Sequence, residues 1–251
     1  MQADQTGAPA GQQYPAGQQY PVTQENPVGQ QYPVARQYQY SSDPITLTTV
    51  LKTLMWIGFG VVILSILSDF LQLTLVFSES ISEMQAEAND VRQQLISLLA
   101  RFVFLPTAIT FLVWVHRANS NCRGFGAKGM KFTPGWAVGW FFVPFANLYK
   151  PYYCMKEIWD VSSDPANWHR SRGGALVGAW WLLWIAIGGL GLVEAGLAAS
   201  AQSIRAIQDA TAFSILVGVV RIVLYLVTIR MISQIFGKQE VLVRGNAPRF
   251  E

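Results

Sequence analysis

Residues 134–149, Pro-Gly-Trp-Ala-Val-Gly-Trp-Phe-Phe-Val-Pro-Phe-Ala-Asn-Leu-Tyr, are the stretch on which the fold turns. The block is apolar enough to enter a bilayer, yet as a helix it would reach about 24 Å against a hydrocarbon core of about 30 Å. Pro144 also interrupts any regular ladder within it. The residues that follow, Pro151–Ser162, set Tyr152, Met155, Ile158, Trp159 and Ser162 on one side and Lys156, Glu157 and Asp160 on the other. That spacing predicts an amphipathic helix lying in the interface. Helical geometry leaves three paths open for Pro134–Tyr149: it crosses, it dips in and returns, or it lies flat.

On either side of the block, four stretches are long and apolar enough to span: Leu47–Phe77, Leu95–Val115, Gly174–Leu197 and Ala212–Phe236. Charge counting then separates the paths. If the block does not cross, thirteen Lys and Arg fall on the side of the termini and two, Arg92 and Arg205, on the other. A full crossing gives seven against eight. The positive-inside rule selects the first, with the basic side and both termini cytoplasmic. The acidic Glu79, Glu83, Glu87 and Asp90 then face outward. All nine tryptophans lie toward the cytoplasmic side in this threading, which reads either as anchoring of helix ends or as an aromatic-walled pocket for an apolar ligand. The expected fold is an all-α integral membrane protein: four transmembrane helices plus a Pro-broken re-entrant or interfacial segment.

Composition agrees. Only 13% of the 251 residues are charged, about half the usual share, and the mean hydropathy is +0.27. A net charge of +3 is too small to imply nucleic acid, and two cysteines exclude a disulfide-stapled scaffold. The first 42 residues contain 11 Gln, 5 Tyr and 5 Pro but no Ile, Leu, Phe or Trp, and Gly-Gln-Gln-Tyr-Pro recurs at Gly11, Gly17 and Gly29. Such a segment lacks the apolar area that offsets ordering, so it is expected to be a disordered tether, or a docking strip for a protein partner. The reading is therefore a Gln/Tyr/Pro-rich cytoplasmic tail over 1–43, a helical membrane domain over 44–237 and a short cytoplasmic tail over 238–251.

Past the second span, Trp114, Arg117 and Asn121 form W-x-x-R-x-x-x-N, followed by P-G-W-A-V-G-W-F-F-V-P at Pro134–Pro144, then Asn147-Leu148, Pro151 and Glu157-Ile158-Trp159. This series, including Pro134, Gly135, Trp136 and Trp159, resembles bacterial membrane proteins grouped as domain of unknown function 4328, over roughly Ile45 to Phe236. Arg123-Gly124-Phe125-Gly126 looks like that family's loop glycine region. The resemblance implies a multi-span bacterial membrane protein, hence the cytoplasmic membrane, and implies no reaction. Asn147, between two prolines, is expected to brace the break with its side-chain amide.

Chemistry-bearing constellations are sparse. His116, Cys122, Cys154 and His169 have zinc-binding atoms at spacings that match no usual ligand pattern. His116 near Cys122 is the one nucleophile–base candidate, and Gly124, Gly126 and Gly129 follow no strand and precede no Gly-Lys-Ser/Thr. More informative are Asp69, Arg101, Glu194 and Arg221, one in each span, whose charges cancel and are expected to pair inside the bundle or to line a polar path. Gly174-x-x-x-Gly178 and Ala175-x-x-x-Ala179 invite close helix packing, within the chain rather than between copies. No cofactor is implied. The expected function is a non-enzymatic membrane platform or adaptor with a recruiting tail, the alternative being a small-solute, ion or lipid transporter that uses the buried charges. The expected partners are the lipid bilayer, anionic lipids at the cytoplasmic face and a protein bound by the tail.

Overall fold

The computed structural model describes residues 38–171 and 174–245, and every regular element among them is helical. The expectation of disorder for the tail concerns residues that, up to 37, lie outside the described ones. Six α-helices follow in order: α1 (Ile45–Val76), α2 (Glu83–Gly124), α3 (Pro134–Gly139), α4 (Lys150–Ser163), α5 (Ala175–Ser200) and α6 (Ile204–Arg244). Four of them, α1, α2, α5 and α6, are long and apolar enough to cross a membrane. At 1.5 Å per residue the shortest, the 26-residue α5, is about 39 Å long, enough to span a core of about 30 Å.

Two of the spans run well past the apolar stretches that announce them, because polar residues start and extend the ladders. Ser82 takes the amide of Gln85 on its hydroxyl while the Gln85 side chain accepts the Ser82 N–H, so α2 begins at Glu83, a turn-rich polar stretch before Leu95. Ser203 caps α6 by a single bond from the Ala206 amide to its hydroxyl, and that helix continues beyond Phe236 to Arg244. Pro106 sits inside α2, where the hydroxyls of Thr107 and Thr110 bond the carbonyls of Val103 and Pro106.

The long helices form a row rather than a closed bundle. α1 packs between α2 and α6, and α5 packs on the far side of α6. Contacts along α1 and α6 keep an antiparallel register: Gln208 bonds the Val76 carbonyl, Gln72 bonds Thr211, Gly218 meets Ile66 and Gly58 meets Tyr225. The ends of the row, α2 and α5, are bridged at one level by aromatic rings, Phe111 to Trp180 and, through Phe141, to Trp184, with centroids 6.1–6.4 Å apart.

Phe141 belongs to the block Pro134–Tyr149, which contains no helix long enough to cross a membrane. Its helix α3 has six residues and gives way to turns, a 3₁₀ turn at Ala146–Leu148 and then α4. The flanks of the block meet again on one side, where the Lys150 ammonium lies 5.8 Å from the ring of Phe132 and 5.2 Å from that of Trp140. Between those ends Phe141 reaches Phe111 and Trp184, and the segment returns on itself as the expected Pro-broken re-entrant or interfacial piece.

Two expectations need correcting. α4 does not lie with one face in water: Glu157 and Asp160, on its presumed polar side, are as buried as Met155 and Ile158, because neighbouring segments supply donors to both acids. The glycines of α5 also serve less for packing than their spacing suggests. Gly174 lies against Trp159, but a side chain at Gly178, Gly188, Gly189, Gly191 or Gly196 would meet nothing within 4 Å.

The α1–α6 contact gives a first prediction. A Cβ at Gly58 would stand 2.5 Å from the Tyr225 hydroxyl and 2.8 Å from Cζ, whereas one at Gly60 would meet nothing within 4 Å. Gly58→Ala is expected to cost about 1–3 kcal/mol in thermal unfolding in detergent, while Gly60→Ala is neutral or slightly stabilising. Equal effects would mean that the two helices are not in close contact there.

Candidate functional site

Trp114, Arg117 and Asn121 recur at three and four residues on α2 and so share one face. That face fastens the chain entering α1. The Trp114 indole N–H donates to the Thr48 hydroxyl at 3.0 Å, Arg117 donates to the Asp43 carbonyl at 2.6 Å, and the Asn121 side-chain oxygen accepts the Ser42 N–H at 3.0 Å. Beyond them, Tyr38 and Tyr40 pack their rings on Phe125, each with centroids 6.0 Å away. Gly124 permits this approach, since a Cβ there would collide with Ser41. The last residues of the stretch read as tail, 38–43, thus lie along the end of α2.

The loop between α2 and α3 is gripped from two sides. Glu157 of α4 accepts the N–H of Lys131 at 2.6 Å and of Phe132 at 3.2 Å, and Arg123 donates to the carbonyl of Phe132 at 2.8 Å. Burial pushes the Glu157 carboxyl above its ordinary value, and the two backbone donors with Arg123 and Lys131 pull the other way. Trp168 adds a third hold through its indole N–H to the Lys128 carbonyl, 3.1 Å away. Gly126 takes the left-handed φ of +76° that turns the chain out of α2.

Behind the loop, α2, α4 and α6 are knitted by Gln239, whose side-chain amide donates to the Ser162 hydroxyl at 3.0 Å and the Ala118 carbonyl at 3.3 Å. The Cys122 sulfur sits in the same knot, 3.7 Å from Ser162. Trp159 is covered by the Lys238 ammonium, 3.5 Å from the ring centroid.

In the re-entrant turn, Thr133 caps α3 through the Trp136 amide and Pro134 starts the helix, with Gly135 after it. Trp136 stacks on Trp140 at 4.7 Å and stays 54% exposed. Pro144 precedes Phe145, which holds φ 63° and is the one non-glycine residue with positive φ among those described. The Asn147 side chain does not brace this break. Backbone groups close it instead, the Asn147 N–H bonding the Val143 carbonyl at 2.9 Å and the Ala146 N–H that of Pro144 at 2.7 Å. Pro151, buried at the start of α4, ends the segment.

The model of the family described as domain of unknown function, DUF4328, matches residues 78–237. The chain belongs to that family. No curated protein and no solved structure matches it. In this DUF4328 protein the matched span takes in α2 to α5 and most of α6, and leaves out α1 together with the residues that Trp114, Arg117 and Asn121 hold.

At the opposite end the DUF4328 chain carries a second polar cluster. Arg92 donates to the hydroxyl and carbonyl of Ser68 and, at 2.6 Å, to Asn89. Gln93 donates to Gln72 at 2.7 Å and to Asp69 at 3.2 Å, and Gln72 reaches Thr211 on α6. Deeper, Arg221 and Glu194 form an ion pair between α6 and α5, with 38% and 19% of the side chains exposed. Asp69 stands within electrostatic reach of both and of Arg92.

The four spanning charges are therefore only partly brought together. Arg101 is exposed and forms no ion pair or hydrogen bond among the described residues. Helix side chains lean toward the N-terminus, so Arg101 leans back toward Leu95 and the polar start of α2, where a long side chain can leave the apolar core. Arg92 takes the place expected of it in the network. The signal was present: Asn89, Arg92 and Gln93 share a face with the α1 contacts once the capped helix starts at Glu83. The other constellations are not assembled, since His116 is exposed while Cys122 is fully buried.

A double-mutant cycle on Glu194→Gln and Arg221→Gln is expected to show a coupling of about 0.5–3 kcal/mol in detergent unfolding. The cycle on Asp69→Asn and Arg101→Gln should be additive within about 0.5 kcal/mol. Coupling in the second cycle would place Arg101 inside the network.

Proposed function

We propose that this protein is a non-enzymatic platform or adaptor of a bacterial cytoplasmic membrane, with its basic end and both termini in the cytoplasm and the Gln/Tyr/Pro-rich segment as the recruiting element. The observation that carries this reading is where the family-motif side chains go. Trp114, Arg117, Asn121 and Glu157 all bind other parts of the same chain, and together they stiffen one end of the helices into a plate. Side chains committed in this way are poor candidates for turnover. The Cys154 thiol is a further argument against nucleophilic chemistry, since burial and Glu157 push it up to about 12. The distribution of charge supports the orientation, because Lys128, Lys131, Lys150, Lys156 and Arg170 cluster at the plate and Glu79, Glu83, Glu87 and Asp90 at the other end.

A second reading, a transporter for an ion or small solute, is favoured by the partly exposed Glu194–Arg221 pair and the polar network above it. Flux into proteoliposomes that is abolished by Glu194→Gln would select it.

The orientation and the adaptor role are tested together. Both native cysteines are buried, so a membrane-impermeant maleimide should report only introduced thiols. Glu79→Cys is expected to label in intact cells and Ser163→Cys only after the membrane is opened. A photo-crosslinking residue at Val241, on the plate, should give a discrete protein adduct that disappears when residues 2–37 are deleted, and one at Glu79 should give none. Labelling of Ser163→Cys in intact cells sinks the orientation, and an adduct pattern indifferent to position or to the deletion sinks the adaptor.

A further inference from the structure

Most cations at the plate are already engaged. Arg117 holds the Asp43 carbonyl, Arg123 that of Phe132, Lys156 pairs with Asp160, Arg244 with Glu240, Lys150 lies over aromatic rings and Lys238 over Trp159. Among the described residues the side chains of Lys128, Lys131 and Arg170 make no hydrogen bond, ion pair or ring contact, and all three are exposed. Lys52 and Arg230 are also uncommitted but lie on the spanning helices α1 and α6, outside the 128–131 loop and the 168–170 turn. The first three are gathered by the fold. The Trp168 bond to Lys128 and the approach of the His169 ring to Gly129 fix the 128–131 loop against the 168–170 turn, and Glu157 anchors the backbone of Lys131. Of the acids nearby, Glu157 and Asp160 are buried, with the Lys131 charge in reach of Glu157, and the exposed Asp164 accepts the amides of Ala166 and Asn167.

Beside this cationic group lies the re-entrant turn. Phe142, Phe145 and Leu148 are 69%, 82% and 54% exposed, next to a Phe141 that packs on rings of the spanning helices. A left-handed backbone at Phe145, which costs about 1–3 kcal/mol, turns the chain there with its ring left outward. An exposed apolar tip with exposed cations at its base, none of them in a side-chain hydrogen bond or ion pair among the described residues, matches one kind of molecule, which has an anionic head and a hydrocarbon body.

We infer that Lys128, Lys131 and Arg170 hold the phosphate of an anionic phospholipid whose acyl chains lie along Phe142, Phe145 and Leu148. The site fixes the plate to the leaflet whatever protein the plate recruits, so it stands or falls separately from the adaptor reading. The full chain, reconstituted in equimolar phosphatidylglycerol and phosphatidylcholine, is examined by native mass spectrometry for the lipids it retains. Wild type is expected to retain phosphatidylglycerol several-fold over phosphatidylcholine. Lys128→Gln/Lys131→Gln/Arg170→Gln should bring the ratio to about one, a loss of the whole several-fold preference. Lys52→Gln/Arg230→Gln should keep the wild-type ratio, and thermal midpoints in pure phosphatidylcholine should be the same for all three proteins. The triple charge-preserving variant, Lys128→Arg/Lys131→Arg/Arg170→Lys, should also retain the preference. Absence of a preference in wild type, its persistence in the triple Gln variant, an equal loss in the Lys52/Arg230 control, or a triple Gln variant whose midpoint falls would each overturn the site.

Discussion

Where a chain leaves its helices at a membrane surface, every freed amide and carbonyl needs a partner, and in this protein a single buried carboxylate meets the hardest part of that demand. Glu157 takes two successive backbone N–H groups of the loop before α3, and Arg123 takes the carbonyl between them and the helix. With the loop pinned, α3 starts at a fixed place, the re-entrant turn has fixed ends, and α4 is buried against α2, α5 and α6. Burial makes the carboxylate costly by itself, and its donors offset that cost only while the loop stays folded. Loop and helix therefore stand or fall as one unit.

Much of this was legible in the residues, and the parts that were not share a physical cause. The four spans, the Pro-broken block and the family follow from apolar length, Pro144 and the Trp114–Trp159 motif. The start of α2 was readable too, in the Ser82–Gln85 box, but hydropathy marks only the apolar middle of a helix and hides its polar extensions. Amphipathic spacing misplaced α4 because a periodic pattern shows which residues are polar and is blind to donors arriving from 26 residues away, as Lys131 does for Glu157. Asn147 misleads for a related reason: a side chain that can satisfy a carbonyl is visible in sequence, whereas a turn that satisfies itself through its own backbone is not.

Charges within the spans follow the direction of the helix that carries them. Arg221 leans toward the start of α6, while Asp69 and Glu194 lean toward the starts of α1 and α5, at the other end of the molecule. These opposed leanings bring the three toward one level. Arg101 leans the same way as Arg221, because α2 and α6 start at the same end, but it stands on an exposed face of α2 and pairs with none of them. Charge balance alone treats two acids and two bases as equivalent partners, and it is the exposed face of α2 that separates Arg101 from the three that converge.

The open row of spans explains why the re-entrant turn has the length it has. α2 packs chiefly on α1 and α5 chiefly on α6, which leaves a gap between the two. At the plate the gap is filled by Phe141, which meets Phe111 on one side and Trp184 on the other. A full fifth span would separate the two walls along their whole length, and a surface helix would not reach Phe111 at all. A six-residue helix followed by the break at Pro144 carries one aromatic ring to the required depth and brings the chain back to Lys150. Toward the other end nothing comparable is inserted, and there Gly188 and Gly191 of α5 look onto open space while the Glu194–Arg221 pair stays partly exposed. The same insertion that seals one half of the row leaves the polar half accessible.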